Sequence, residues 1–203
     1  ESAELTMIEL AAEGVESVRL ACSWVLLLPA FGVTLFAPRR TPVVVAAFVV
    51  TTASVAWLRF AGWWFAAPRG AVQVLLGFAV IGITLVALRS DRSSASAVAG
   101  GFAGLVAAWS WIPCVGPRLG DLLNNARPAP FEHLGGTLAY TVGLLLPFVL
   151  VAALGVAFPT ARAALENRRV IMVGAAVLLV FGGLLALTLF DDIASELARR
   201  SSF

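Results

Sequence analysis

The chain has 203 residues, 60% of them apolar and 13% charged, with a mean hydropathy of +0.94 and a formal charge of +2. So little polar surface cannot dress a water-soluble globule of this size, and the apolar residues fall into long runs divided by short charged breaks, the pattern of an integral membrane protein. The basic charge, all of it arginine, sits at the ends of those runs and forms no stripe interleaved with aromatics, which argues against nucleic acid as a partner despite a pI near 9.0.

The first segment, 6–20, sets Glu9, Glu13 and Glu16 among Met7, Ile8, Leu10, Val15 and Val18. It reads as an amphipathic helix at the membrane interface or as the polar first half of helix 1. A signal peptide would begin with basic residues. Six apolar spans follow, at 20–37, 43–66, 71–88, 95–112, 134–158 and 170–190. Each has about the 17 to 25 residues that a helix needs to cross the hydrocarbon core, and none alternates apolar with polar as a barrel strand would. The expected fold is all-α and integral to the membrane, one transmembrane domain over 1–203 with a polar tail from 191.

An even number of crossings puts both termini on one side. The fourteen arginines divide equally between the two sides, so orientation rests on the compact pairs Arg39-Arg40 and Arg168-Arg169, which place the termini outside the cytoplasm. Trp57, Trp63 and Trp64 then form an outer aromatic belt, with Arg59 snorkelling among them as an anchor.

Helix 3, Val74-Leu75-Leu76-Gly77-Phe78-Ala79-Val80-Ile81-Gly82, resembles helix 6, Val173-Gly174-Ala175-Ala176-Val177-Leu178-Leu179-Val180-Phe181-Gly182. Two three-helix units, about 1–92 and 95–190, account for this, and three crossings per unit invert the second relative to the first. Each unit carries one of the two cysteines in its first helix, Cys22 and Cys114. Cys114 stands in Pro113-Cys114-Val115-Gly116-Pro117, inside Ser110-Trp111-Ile112-Pro113-Cys114-Val115-Gly116-Pro117-Arg118-Leu119-Gly120. Proline removes a backbone donor and clashes with the preceding turn, so the thiol sits where helix 4 opens. In helix 1 the nearest proline downstream of Cys22 is Pro29, a candidate hinge seven residues on.

Other residues admit two readings. A membrane cysteine is commonly a small apolar filler. Pro147 is a tolerated kink or a hinge for alternating access. Tyr140, the sole tyrosine, is a packing residue with a satisfied hydroxyl or lines a cavity beside the cysteines. Asp121 follows the cysteine motif, either at membrane depth, where an acid is functional, or where the helix is leaving the bilayer. Gly100, Gly101 and Gly104 permit close helix packing. His133 has no second ligand at metal-binding spacing, and no metal or cofactor is expected.

The Trp111-to-Gly120 segment and Leu138-Ala139-Tyr140-Thr141-Val142-Gly143-Leu144-Leu145-Leu146-Pro147-Phe148 resemble the CcdA family, the cytochrome c biogenesis thiol–disulfide carriers related to the central domain of DsbD. The resemblance covers all six helices and is specific in helices 4 and 5. In the first half Ala21, not proline, precedes Cys22. It implies two inverted repeats with helices 1 and 4 broken, and a Cys22–Cys114 disulfide. A cytoplasmic thioredoxin-like donor would reduce that disulfide, and an extracytoplasmic thioredoxin-like acceptor of cytochrome c maturation would reoxidise it, in the cytoplasmic membrane of a prokaryote. Thiolate chemistry suits the site, because Cys114 precedes a half-helix at 119–126 whose N-terminus lowers a thiol pKa, while Gly116, Pro117 and Gly120 leave room for a partner. Two rival readings remain: a structural subunit held among other membrane subunits, and a transporter of small solutes or metal ions on a related fold.

Overall fold

The computed structural model describes residues 7–18, 23–36, 41–60, 68–90, 93–110 and 134–201. All regular structure among these described residues is helical: α1 (Met7–Ser17), α2 (Trp24–Phe36), α3 (Thr41–Phe60), α4 (Ala71–Arg89), α5 (Ser93–Ser110), α6 (Leu134–Ala157), α7 (Pro159–Leu165), α8 (Arg168–Ala186) and α9 (Phe190–Ser201). Four helices carry apolar stretches long enough to cross a membrane: Pro42–Arg59, Ala71–Arg89, Gly135–Ala157 and Arg168–Ala186. The chain is therefore a multi-pass helical membrane protein. The described helical parts of the first and fourth expected spans are shorter, Leu26–Phe36 and Ser94–Ser110.

What faces inward differs from what a soluble core would select. Along α4 the buried residues are Gln73, Gly77, Val80, Thr84 and Ala87, a stripe at helical period. The opposite face exposes Val72, Leu75, Phe78, Leu85 and Val86. Large apolar groups point outward and small or polar ones inward, because lipid is as apolar as leucine and helices associate through close packing and hydrogen bonds. Large side chains also fill the centre, where Leu26, Val33, Val44, Phe48, Val106, Leu144, Leu178, Phe181 and Leu185 form one buried cluster shared by α2, α3, α5, α6 and α8.

Contact order gives the helix directions. Gly100 meets the Val44 carbonyl, and Gly104, one turn on, meets Phe48 and Thr52, so α3 and α5 advance together and run parallel. Met7 meets Gly135 while Gly14 meets Tyr140 and Leu144, so α1 and α6 are parallel too. By contrast Gly174 meets Gly32, Leu35 and Phe36 while Gly32 meets Leu178, and Gly77 meets Ala186 while Gly182 meets Val80 and Ile81, so α8 runs antiparallel to both α2 and α4. A Cβ on Gly104 would stand 2.6 Å from the Phe48 carbonyl oxygen, and one on Gly100 2.7 Å from that of Val44. Gly101 makes only ordinary contacts, 3.6 Å from Thr51. The close approach lets the Thr52 hydroxyl donate across to the Gly104 carbonyl at 3.3 Å.

The expected sixth span to 190 ends sooner, and the segment from 191 belongs to a further helix. Helix α8 closes with Thr188 at φ 58°, its N–H donating to the Leu185 carbonyl and that of Leu189 to Leu184. This is the paired bond pattern of a left-handed helix stop, a place that favours glycine. The turn redirects the chain into α9, and Phe190 stacks edge-on against Phe181 with ring centroids 5.4 Å apart. In the first turn of α9 burial pushes the Asp191 carboxyl above its ordinary 3.8, opposed by the Arg69 guanidinium, reinforced by Asp192 and opposed again by Gln73. Gln73 itself is only 1% exposed, and its amide nitrogen, though near enough to favour the Asp191 charge, has no partner in hydrogen-bonding geometry among the described residues.

Three expectations follow. Gly104→Ala should cost about 1–3 kcal/mol by forcing α3 and α5 apart, whereas Gly82→Ala, which meets nothing within 4 Å, should be neutral or stabilise by about 0.5–1 kcal/mol. Unfolding of both variants in detergent checks this, and equal effects would contradict the contact. Thr188→Gly should gain up to about 1 kcal/mol, since a left-handed L-residue costs about 1–2 kcal/mol and glycine's added freedom returns part of it. A folded-state pKa raised above 3.8 means that Asp191 holds its proton longer when folded. Its contribution is then full below 3.8 and is lost as pH rises through the folded value. Asp191→Asn should remove that loss, visible as a flatter dependence of thermal midpoint on pH over the acid range.

Candidate functional site

Two helices lead toward the cysteines. Helix α1 ends at Ser17, five residues before Cys22, and α5 ends at Ser110, four residues before Cys114. Cys22, Pro113, Cys114, Gly116, Pro117, Gly120 and Asp121 lie outside the described residues, as do His133, Trp63 and Trp64. What can be described is how the rest of the fold grips the two helices that enter those segments.

The end of α1 is held by α6. Tyr140, 4% exposed, donates its hydroxyl proton to Ser17 Oγ at 2.9 Å, and Ser17 Oγ–H donates to the Glu13 carbonyl at 2.8 Å. A buried phenol needs a partner, and a serine at this position supplies one. Of the two readings of Tyr140, the packed residue with a satisfied hydroxyl is the one that the geometry displays. The backbones touch beside this bond: Gly14 lies against the Tyr140 carbonyl and Gly143 against that of Ala11, with no room for a Cβ at either glycine. In α6 the Thr141 hydroxyl bonds back to the Thr137 carbonyl at 2.8 Å, so this buried polar group is satisfied within its own helix.

The end of α5 is held by α3. Arg59, expected to snorkel among the tryptophans of an aromatic belt, donates from Nη1 to the Trp109 carbonyl at 2.8 Å and to that of Ala108 at 3.3 Å. The last carbonyls of a helix lack donors from a following turn, and the partial negative charge there favours a cation. Ser110, buried beside this end, has a hydroxyl with no hydrogen-bond partner among the described residues.

The two sequence-marked prolines that are described take different environments. Pro29 is buried within α2, among Leu26, Leu27 and Ala30 of the core. Pro147 is exposed on the outer side of α6, and the helix runs through it to Ala157. Its missing N–H withholds the i−4 donor from Gly143, the residue pressed against α1, so helix α6 is relieved of one internal bond where the two backbones are nearest.

Sequence reasoning missed the partners of both grips, Ser17 on one side and the Ala108 and Trp109 carbonyls on the other. Arg59 did carry a signal, as the one ionisable residue within the apolar run of helix 2, a placement that asks for a named partner. Ser17 carried none, because a serine in a mixed polar segment has many unremarkable uses. No group of three or more metal-ligating side chains occurs among the described residues. No protein-family model, curated protein or solved structure matches this chain.

Proposed function

We propose that this protein is a transmembrane thiol–disulfide carrier, built as six crossings in two inverted repeats. The observation that carries the reading is the equivalence of the two helices that enter the cysteine segments. Helix α1 runs parallel to α6 and α5 parallel to α3, each pair in backbone contact through glycine. In an inverted repeat this is one contact seen twice: the first half-helix of each unit packs on the second helix of the other unit. The antiparallel pairing of α4 with α8, the two helices whose sequences resemble one another, fits the same two-fold relation. On this reading α1 and α2 are the halves of a broken helix 1, and Cys22 and Cys114 fall at matching points.

The chemistry is a pair of exchanges. A donor dithiolate attacks the Cys22–Cys114 disulfide, a mixed disulfide forms, and the second donor thiol resolves it. The donor leaves oxidised and two carrier thiols remain, having taken up two electrons and two protons. On the other side the carrier thiols reduce an acceptor disulfide by the same two steps, and the Cys22–Cys114 bond re-forms. Transfer runs downhill from a donor near roughly −270 mV toward a more oxidising acceptor. A cytoplasmic thioredoxin-like protein and an extracytoplasmic thioredoxin-like protein serving cytochrome c maturation suit the two roles.

The transporter reading draws no support from the described polar residues. Arg59 and Tyr140, which would have to line its path, are each engaged in a separate helix–helix contact, α3 with α5 and α6 with α1.

Differential alkylation tests the carrier. Membranes held oxidised and then reduced should show one reversible bond in the wild-type chain, read as a gel shift after thiol labelling. Cys22→Ser and Cys114→Ser should each abolish it and leave one thiol labelled under both conditions. A wild-type chain with two labelled thiols under oxidising conditions would overturn the reading.

A further inference from the structure

We propose that α9 is an interfacial helix, lying along the lipid–water boundary with its apolar face on the acyl chains, and that it sets the depth at which α8 ends. Apolar residues recur through it at 190, 193, 194, 197 and 198, the spacing of one helical face, and Asp191, Asp192, Ser195, Glu196 and Arg199 fall outside that face. The fold shows which way the face looks. Phe190, only 3% exposed, reaches back to Phe181 within the membrane-spanning part of α8. The side of α9 that begins with Phe190 is therefore turned toward the bilayer interior. One turn on, Ile193 continues the same side, yet it is 44% exposed. The bundle covers Phe190 and leaves Ile193 open.

Neighbouring helices set the level of α9 at the edge of the hydrocarbon. It follows the Ala186 end of one span through the turn at Leu187 and Thr188. It also stands beside the start of another: Gly77 meets Ala186, and Asp191 lies near enough to Arg69 and Gln73, at the head of α4, for both to bear on its charge. Leu187 and Leu189 are exposed too, so open apolar groups follow one another from the end of α8 to Ile193. The other side of α9 suits water, with Glu196 and Arg199 paired along it at 2.8 Å and the Ser195 hydroxyl bonded to the Asp192 carbonyl at 2.9 Å. A helix of 12 residues is too short to cross the hydrocarbon, so it lies along the edge. The occupant of its apolar face is lipid, because that face looks toward the bilayer which already surrounds the span before it. Asp191, Asp192 and Glu196 against Arg199 and Arg200 leave no positive excess, so apolar burial holds the helix there, and attraction to anionic headgroups does not.

Fluorescence quenching in the full chain tests this, in phosphatidylcholine nanodiscs and a Cys22→Ser, Cys114→Ser background, so that the outcome is independent of the carrier reading. Bimane is attached at Ile193→Cys or at Ser195→Cys and quenched from the water by iodide, or from the lipid by phosphatidylcholine brominated high or low on its chains. The probe at 193 should be at least about threefold less accessible to iodide than the probe at 195. It should also be at least about threefold more sensitive to bromine near the headgroup, the depth of about 5–10 Å at which such helices lie. Bromine near the chain ends should quench it less. Adding phosphatidylglycerol should leave these ratios within about twofold, since charge does not hold the helix. Equal iodide quenching at both positions would overturn the proposal by placing α9 in water. A probe at 193 shielded from iodide and from bromine alike would overturn it too, as the sign of a protein partner or a second copy on this face. So would stronger quenching by the deep bromine, or a contrast that appears only with phosphatidylglycerol. Should Ile193→Cys give no folded protein, Leu189→Cys read against Asp192→Cys supplies the same contrast.

Discussion

In hydrocarbon a backbone carbonyl without a donor has no water to turn to, and much of this molecule is arranged around that constraint. The hydroxyls of Thr34 and Thr141, which are buried, and of Thr51, which is half-buried, bond back to carbonyls one turn earlier in their own helices. Helix ends also draw donors from elsewhere: a left-handed turn closes α8 at Thr188, and a guanidinium from α3 donates to the Trp109 carbonyl near the end of α5.

The second organising feature is the absence of a hydrophobic drive between helices. Glycines bring backbones into contact at α1–α6, α3–α5, α2–α8 and α4–α8, and the inward stripe of α4 is poorer in large apolar groups than its outward face. Packing then depends on shape and on a few cross-helix hydrogen bonds. Of these, Tyr140 to Ser17 joins α1 to α6, and Arg59 to Trp109 joins α5 to α3.

Most of the architecture was legible in the chain, because a bilayer imposes a length and a composition on anything that crosses it. The spans at 43–66, 71–88, 134–158 and 170–190 each correspond to a described helix, with ends displaced where local chemistry intervened, as at the turn through Leu187 and Thr188. The role of Gly100 and Gly104 in close packing was legible too, from small residues spaced by one turn on an apolar helix. Arg59 was read as an anchor in an aromatic belt, the usual fate of a long cation at the end of a span. Its bond to a carbonyl of α5 appears only once the helices are packed.

The sequence by itself determined that this is a helical membrane protein, where most of its helices run, and which residue types bear the thiol chemistry proposed for it. These are properties of composition and of period along a single chain. Only the tertiary structure decided which helices are neighbours, that α1 runs beside α6 and α5 beside α3, and that Tyr140 and Arg59 each reach the end of a helix far away in sequence. The physical reason is that apolar helices all look alike to lipid. Their pairing is settled by where two backbones can approach closely and where a polar group finds its partner, and both are facts about pairs of helices rather than about either one.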